Sequence, residues 1–453
     1  MPLKQLKMPG TTNPYTPDSF RPLLKRLVET PEYFTSSDLV HALNHLFTPN
    51  TLNPEQIGSF LTALHIHRVE RRPESLAAAA QVLRERSLKA QIDGMEGDFI
   101  VDIVGTGGDG HNLFNVSTTA GIVAAGAGAR VIKHGSRAST SSSGSADLLQ
   151  ALGCIFVAPP PIPNDGPKIY TNPALNSPNP TPGTTPPDSP TNSTQQDKYK
   201  DESTPTPTPS KSKYTPIPSI PFTFILAPHY HPSLSYLAPF RRALPFRTMF
   251  NILGPLINPA RPRGMVLGIA EPELGWTFAK SLLEGGVERA LVVCGEERMD
   301  EVSCQGGTWC WGLGVDLDEM LKDVAEEGDG WDGVVEEGEG GVIKFKVTPK
   351  MFGLPSHPLT SVAGGSPVDN AKTFKDMLED SNWRSGEVPK NLEAVLHFTL
   401  MNASALLVVA GVAKTFKEGV RLAEESVRSG KAWEAFGKFR DVGINQDRAN
   451  KGV

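Results

Sequence analysis

Cysteine is scarce in this chain: Cys154, Cys294, Cys304 and Cys310 are the only four in 453 residues. No two have the close spacing of a zinc site, so neither a metal ribbon nor a disulfide-stapled scaffold is expected, and reduced thiols are the simplest account. A basic surplus is missing as well. The 44 Lys and Arg against 50 Asp and Glu give a formal net charge of −6, which argues against a general nucleic-acid binder. The longest apolar run, near 405–413, falls far short of the ~18 residues of a membrane span. Met1 to Phe20 is polar and proline-bearing, without the charged-then-apolar order of a signal peptide. A cytoplasmic protein with no membrane and no nucleic-acid partner is therefore expected. Familiar catalytic signatures are lacking too. His41 and His45 have the i, i+4 spacing of a metal pair but no HExxH glutamate, so they, with His65 and His67, read as surface or packing residues. No Ser-His-Asp constellation is visible. What the chain does have is length and 39% hydrophobic residues, enough for a large core and, by length, up to about three domains.

The stretch from Asp102 to Asp147 organises the rest. An apolar run (Phe99, Ile100, Val101, Ile103, Val104) reads as a buried strand that stops at Gly105-Thr106-Gly107-Gly108-Asp109-Gly110. Glycines allow positive φ and let backbone N–H groups approach an anion. Asn115-Val116-Ser117-Thr118 supplies cap formers before an Ala/Gly/Val helix, and a helix N-terminus is suited to phosphate. The pattern repeats: Val131-Ile132 as a short strand, Lys133-His134-Gly135-Ser136-Arg137 as a basic loop, then a Ser/Thr/Gly run into Ala146-Asp147. Turns and caps alone could explain one such loop. Two within about one βαβ unit, the second carrying Lys and Arg, point to a phosphate-rich ligand. The first loop is neither a Walker loop, for want of GK[ST], nor a GxGxxG fingerprint.

Before this region, four short helices are expected. Asp18 and Ser19 can cap the first, Thr35 to Asp38 can start the second, Asn53-Pro54-Glu55 the third and Pro73-Glu74 the fourth. After it, residues 159–221 are dominated by Pro, Ser, Thr, Asn and Lys and cannot bury enough surface to offset ordering, so a disordered insert is expected. Strand-like Phe222 to Leu226, Met265 to Ile269 and Ala290 to Val293 then alternate with helices, which predicts an α/β fold: a mostly parallel sheet flanked by helices, with a small N-terminal helical domain. Asp300 and Glu301 follow the last of these strands. They are either part of a solvated acidic loop or an oxygen set suited to Mg²⁺. Residues 316–341 read as an exposed acidic excursion, and 392–412 and 416–427 as two C-terminal helices with a stop at Ser429-Gly430.

GTGGDG, NVST, KHGSR and SSGSAD, followed by APHYHPSLSYLAPFRRAL, RTMFNILGPLINPA and MDEVS, resemble in this order the anthranilate phosphoribosyltransferase family. The resemblance runs from about Asp18 to the C-terminus apart from the insert. It implies a helical domain over 18–95, joined by a helical segment near 229–262, and an α/β phosphoribosyl-transfer domain over 96–453. It implies transfer of a phosphoribosyl group from 5-phosphoribosyl 1-diphosphate (PRPP) to the amine of anthranilate, in tryptophan biosynthesis, with Mg²⁺ as cofactor and a homodimer held through the helical domain. By residue, Gly105, Gly108 and Asp109 match the first phosphoribosyl loop, and Asn115, Ser117 and Thr118 its continuation. Lys133, His134, Gly135, Ser136, Arg137, Ser141 and Ser145 match the loop over the diphosphate, with Lys133 as a point charge and His134 lining the approach of anthranilate. Ser117, Asp300 and Glu301 match metal ligands, and Arg241 the arginine that holds the anthranilate carboxylate. Two departures stand out: Ser136 where the family usually has Asn, and Leu244-Pro245 where it usually has Leu-Gly. Two alternatives remain at this stage, a pyrimidine nucleoside phosphorylase and a non-catalytic relative that binds nucleic acid; Asp300-Glu301, KHGSR and the net charge speak against both.

Overall fold

The computed structural model describes residues 14–90, 93–94, 97–138, 141–159, 218–323, 335–379, 383 and 385–451. The polar N-terminus up to residue 13, residues 160–217 of the expected insert and 324–334 of the acidic excursion lie outside these. Four helices come first: α1 (Pro17–Glu29), α2 (Ser36–Leu46), α3 (Pro54–Ile66) and α4 (Pro73–Arg86). The α1 cap is Thr16, not Asp18 or Ser19. Ser19 is the third helical residue, its N–H donating to Thr16 Oγ1 at 3.1 Å while the Thr16 N–H donates to Ser19 Oγ at 2.9 Å, a reciprocal box that satisfies two end donors. The other three starts fall where the cap and proline signals put them.

The sheet has eight strands: β1 (Ile100–Gly105), β2 (Arg130–Gly135), β3 (Phe222–Leu226), β4 (Gly264–Gly268), β5 (Arg289–Gly295), β6 (Thr308–Leu313), β7 (Glu336–Glu337) and β8 (Ile343–Val347). Their order is β3-β2-β1-β4-β5-β6-β8-β7, with β1 to β5 parallel and the rest antiparallel. β6, β7 and β8 were not foreseen. From β1 the chain builds outward through β2 and β3, then returns to the other side of β1 with β4. The carboxyl ends of β1 and β4 thus flank a topological switch point, where ligands of such sheets collect.

Side chains alternate across the strands, so each face has its own core. On one face Val101, Ile103, Val131, Phe222, Val266 and Leu291 pack with α5 (Val116–Gly126) and the C-terminal helices; on the other Met265, Leu267, Ala290 and Val292 join the core of α1 to α4. The intervening helices are α6 (Ser145–Ala151), α7 (Ala227–Tyr230), α8 (Pro232–Ala243), α9 (Gly275–Glu284) and α10 (Leu317–Met320). The C-terminus holds four helices, not two: α11 (Pro367–Leu378), α12 (Lys390–Ala410), α13 (Phe416–Arg428) and α14 (Lys431–Lys451). Gly430, at φ +81°, does end α13, but Ala432, Ala435, Phe436 and Phe439 then bury one stripe of a further helix. Among the described residues α12 alone is long and apolar enough to cross a membrane, and 89% of its most apolar window is buried in the protein core. All four cysteines are unpaired and buried.

Candidate active site

Lys133 and His134, expected in a loop, are the last side chains of strand β2, only 1% and 2% exposed. The strand runs on because β3 pairs with it as far as Gly135↔Leu226, and because both polar groups find partners. The Lys133 ammonium donates to the Ile103 carbonyl and, at 3.4 Å, to the Ser117 hydroxyl. Burial lowers its pKa, against the opposing charges of Asp102, Glu301 and Asp300. Lys133 is therefore a fixed charge beneath the N-terminal turn of α5, not part of a covering loop.

Asp300 sits directly on the ends of β1 and β4. A Cβ on Gly105 would lie 2.2 Å from its Oδ2, and one on Gly268 1.7 Å from its carbonyl oxygen, so no other residue fits at either strand end. The Gly107 N–H donates to Asp300 Oδ2 at 2.6 Å. Burial, and then the neighbouring Asp109 carboxyl hydrogen-bonded to it, pushes the Asp300 pKa up to about 7. Glu301 is raised well above the usual carboxylate range by burial and by Asp300, while Ser117 donates to it. Behind them Asp102 is fully buried and pushed up to about 6, by burial, although Lys133, Asn258 and the His134 N–H favour its ionised form. Three carboxyls, Asp102, Asp300 and Glu301, thus act on one ammonium, with Asp109 against Asp300.

Such a cluster is short of positive charge, and two carboxyls in hydrogen-bond contact need a proton or a cation between them. Among the described residues no group of three or more His, Cys, Asp or Glu is arranged to enclose a metal. Two or three carboxylates and a hydroxyl do fit Mg²⁺, which keeps waters and takes phosphate oxygens. Asp300, Glu301 and Ser117 would hold it, with Asp109 adjacent.

The remaining predicted residues are distributed around this cluster. Asn115 precedes α5 and bridges the two loops, donating to the Ser143 carbonyl at 2.7 Å. The Thr118 side chain is buried, with no partner for its hydroxyl among the described residues, so only its backbone is available to a ligand. Gly135 ends β2, and Ser145 opens α6. Ser136, Arg137 and Ser141 are exposed on the connection between them, where Arg137 pairs with Asp147 at 3.0 Å and Ser141 donates to the Ser143 carbonyl; Ser139 and Thr140 lie outside the described residues. Arg241, in the last turn of α8, stands over the Phe250 ring at 5.8 Å. Its Nε is buried without a hydrogen-bond partner among the described residues, and burial lowers its pKa. Pro245 lies after the end of α8 and leaves the turn carrying Arg241 intact.

His134 faces inward, its Nδ1 at 3.1 Å from the Gly254 carbonyl and its Nε2 at 3.2 Å from His231 Nε2. Burial pushes His134 down to about 3, helped by His231, which burial holds at about 4. Both imidazoles are neutral at any working pH. A base whose pKa is depressed on folding gives stability that is present above its unfolded pKa, near 6.5, and lost as pH falls toward the folded value. Between about pH 6.5 and 4, each should cost up to about 1.4 kcal/mol per pH unit. Melting curves of His134→Gln over this range should fall less steeply with acid than those of the parent chain; equal slopes would mean the pair is not held neutral.

Two asparagines and one backbone segment near the site lie outside the sequence expectations. Asn402, in the apolar helix α12, accepts from the Val302 N–H at 3.0 Å and donates to the Val302 carbonyl at 3.1 Å, fixing the chain just beyond Glu301. Asn370 donates to Asn115 at 2.9 Å. The segment before it stitches both loops: the Phe114 N–H donates to the Val362 carbonyl and Ser142 Oγ to the Gly365 carbonyl. An uncharged amide inside an apolar helix was the one visible signal, at Asn402. Elsewhere, a cavity of about 430 Å³ opens near the amino ends of β4 and β5, beside Arg84, Leu256, Arg261 and Val287; it contains none of the predicted site residues.

The chain is similar to known proteins over most of its length. The glycosyl transferase family α/β domain matches residues 97–160, 208–327 and 323–433, and the helical bundle domain of the same family matches 21–87. An anthranilate phosphoribosyltransferase of Schizosaccharomyces pombe is 37% identical over 391 residues, 86% of this chain and 88% of the relative. One from Polynucleobacter necessarius is 32% identical, covering 92% of this chain and 96% of its own. Among solved structures, the Saccharomyces cerevisiae anthranilate phosphoribosyltransferase in complex with PRPP and Mg superposes with a TM-score of 0.69 at 27% identity, covering 95% of this chain and 99% of that one. The enzyme from Thermus thermophilus does so with a TM-score of 0.67 at 28% identity, over 93% and 99%.

Proposed function

The chain belongs to the anthranilate phosphoribosyltransferase family, and on that premise we propose that the switch-point cluster transfers the phosphoribosyl group of PRPP to the amine of anthranilate. The products are N-(5-phosphoribosyl)anthranilate and diphosphate, and the step belongs to tryptophan biosynthesis. The observation that carries this assignment is the packing of Asp109, Asp300 and Glu301 against Gly105 and the N-terminal turn of α5. Acids in a helix-terminal phosphate site make sense only with a cation and a phosphorylated ligand. Mg²⁺ is the cofactor; when bound, it spreads the diphosphate charge and makes that group leave more readily.

The chain's own residues do the rest. The glycine loop and the first N–H groups of α5 receive the phosphates, and the buried Lys133 adds a fixed positive charge below them. Ser136, Arg137, Ser141 and Ser145 cover the diphosphate side. Arg241 takes the anthranilate carboxylate through its guanidinium fork. The bond from ribose C1 to the diphosphate oxygen breaks with its electron pair on oxygen, the amine lone pair forms the C1–N bond, and the surplus amine proton passes to solvent. An aromatic amine needs no base to attack. Neutral His134 and His231 add no positive charge beside a ribose that is itself becoming cationic. Loss of anthranilate fluorescence only when PRPP and Mg²⁺ are both present tests the assignment; loss without either, or none with both, would refute it.

The same reading divides the chain into 18–95 and 96–453, makes it a cytoplasmic homodimer joined through α1 to α4, and leaves the 159–221 insert dispensable. In support, the match to the α/β domain stops at 160 and resumes at 208. Closing a longer loop costs only ~0.6 kcal/mol per doubling of its length. Exchanging Asn164 to Lys213 for a short Gly-Ser linker should leave the melting temperature nearly unchanged and turnover within about twofold of the parent. Loss of soluble protein would show that the insert has a structural task.

A further inference from the structure

Arg247 opens the RTMFNILGPLINPA stretch but is not among the candidate site residues named above. It follows α8, its side chain is exposed, and its guanidinium spans two successive carbonyls of the glycine loop. Nη1 donates to the Gly107 carbonyl at 2.9 Å, and Nη2 to the Thr106 carbonyl at 3.1 Å. In a trans peptide the C=O and the N–H that follows it point in opposite directions. The Thr106–Gly107 plane is therefore held at both ends, its carbonyl by Arg247 and its N–H by Asp300 Oδ2 at 2.6 Å. The Gly107–Gly108 plane is held at its carbonyl alone. Its N–H, on Gly108, points away from the guanidinium and has no partner among the described residues.

Gly108 has φ +78°, and a Cβ there would lie 1.8 Å from Arg247 Nη1. The clamp therefore needs glycine for space as well as for its dihedral. Glycine planes turn over at little cost when nothing holds them. An unclamped Gly107–Gly108 plane could present its carbonyl oxygen to an anion and repel it.

We propose that Arg247 is a positioning residue, which clamps the Thr106 and Gly107 carbonyls so that the Gly108 N–H stays aimed at the diphosphate of the donor substrate. This rests on the transferase assignment above and deepens it. Arg247 acts from behind the loop, through the backbone, while the phosphates meet N–H groups on the front.

The test compares Arg247→Ala and Arg247→Gln with the parent chain, with both substrates titrated separately. A charge-assisted bond at an exposed site sets the scale. Arg247→Ala should raise the KM for PRPP about 10-fold and leave that for anthranilate within about twofold. Guanidinium chloride at about 5 mM, too dilute to unfold the protein, should restore much of the loss by filling the vacated slot. Arg247→Gln, uncharged but able to donate to one carbonyl, should fall between. The KM for PRPP should rise with salt equally steeply in parent and Arg247→Ala, because no direct phosphate contact is lost. A shallower slope in the variant would make Arg247 a phosphate ligand and overturn the proposal. Equal rises in both KM values, no change in either, or no rescue by guanidinium would overturn it too. If Arg247→Ala fails to fold, the ordering of Arg247→Gln between parent and inactivity, with its salt slope, decides on the same terms. A parent chain that turns over neither substrate would refute the transferase assignment instead, so the two failures are distinct.

Discussion

Changing Asp300 to Asn and Glu301 to Gln together should lower turnover at saturating PRPP and anthranilate by about a thousandfold or more, the scale on which removing preorganised charge from a transferring group is felt. The same change should leave the fold intact and, without metal, raise the melting temperature. Asp300 now shares a buried hydrogen bond with Asp109, and both raised carboxyls lie in each other's field. Asn at 300 keeps an oxygen for the Gly107 N–H, Gln at 301 keeps one for Ser117, and Lys133 retains Asp102. Opposite movements of activity and stability mark a group kept for chemistry at the expense of the fold. Added Mg²⁺ should stabilise the parent and leave the double variant unmoved. Turnover near that of the parent at limiting Mg²⁺ would remove these two carboxylates from the metal site.

Arg241→Ala should raise the KM for anthranilate about 10- to 150-fold, the range for a charge-assisted bond of roughly 1.5–3 kcal/mol. The KM for PRPP should barely move, because the phosphates are assigned to the glycine loop and to α5. The expectation rests on a buried Nε with no partner among the described residues, over the Phe250 ring. An unpaired, partly buried guanidinium is costly unless a ligand completes it. Arg241→Lys should recover little, since an ammonium cannot offer the planar fork. This variant differs in kind from Arg247→Ala, which is expected to weaken PRPP and spare anthranilate. Equal loss of both substrates in Arg241→Ala would make Arg241 a structural residue.

The residues that announced the site in the sequence did so through local rules. Asn53-Pro54-Glu55 began α3 where caps and first-turn prolines belong, and GTGGDG followed an apolar strand as a phosphate loop should. Lys133 and His134 misled because charge inside a strand reads as loop. What makes their burial tolerable, Asp102 and Glu301 for the lysine and Gly254 for the histidine, comes from other strands and loops. β8 shows Ile-Lys-Phe-Lys-Val at period two, and α14 shows Ala432, Ala435, Phe436 and Phe439 at helical spacing. Both patterns were legible and were passed over, the first beside an acidic stretch and the second behind a convincing stop at Gly430. The Arg247 clamp, the Asn402 brace and the Asn370 contact could not be read at all, since each joins positions 100 or more residues apart.

Product analysis of one purified sample, offered two substrate pairs in parallel, tests the central claim most directly. With PRPP, anthranilate and Mg²⁺ the chain should form N-(5-phosphoribosyl)anthranilate and diphosphate in equal amounts, and none when Mg²⁺ is chelated. With a pyrimidine nucleoside and inorganic phosphate it should form no free base. Phosphorolysis of the nucleoside, or diphosphate released without a matching adduct of anthranilate, would contradict the account.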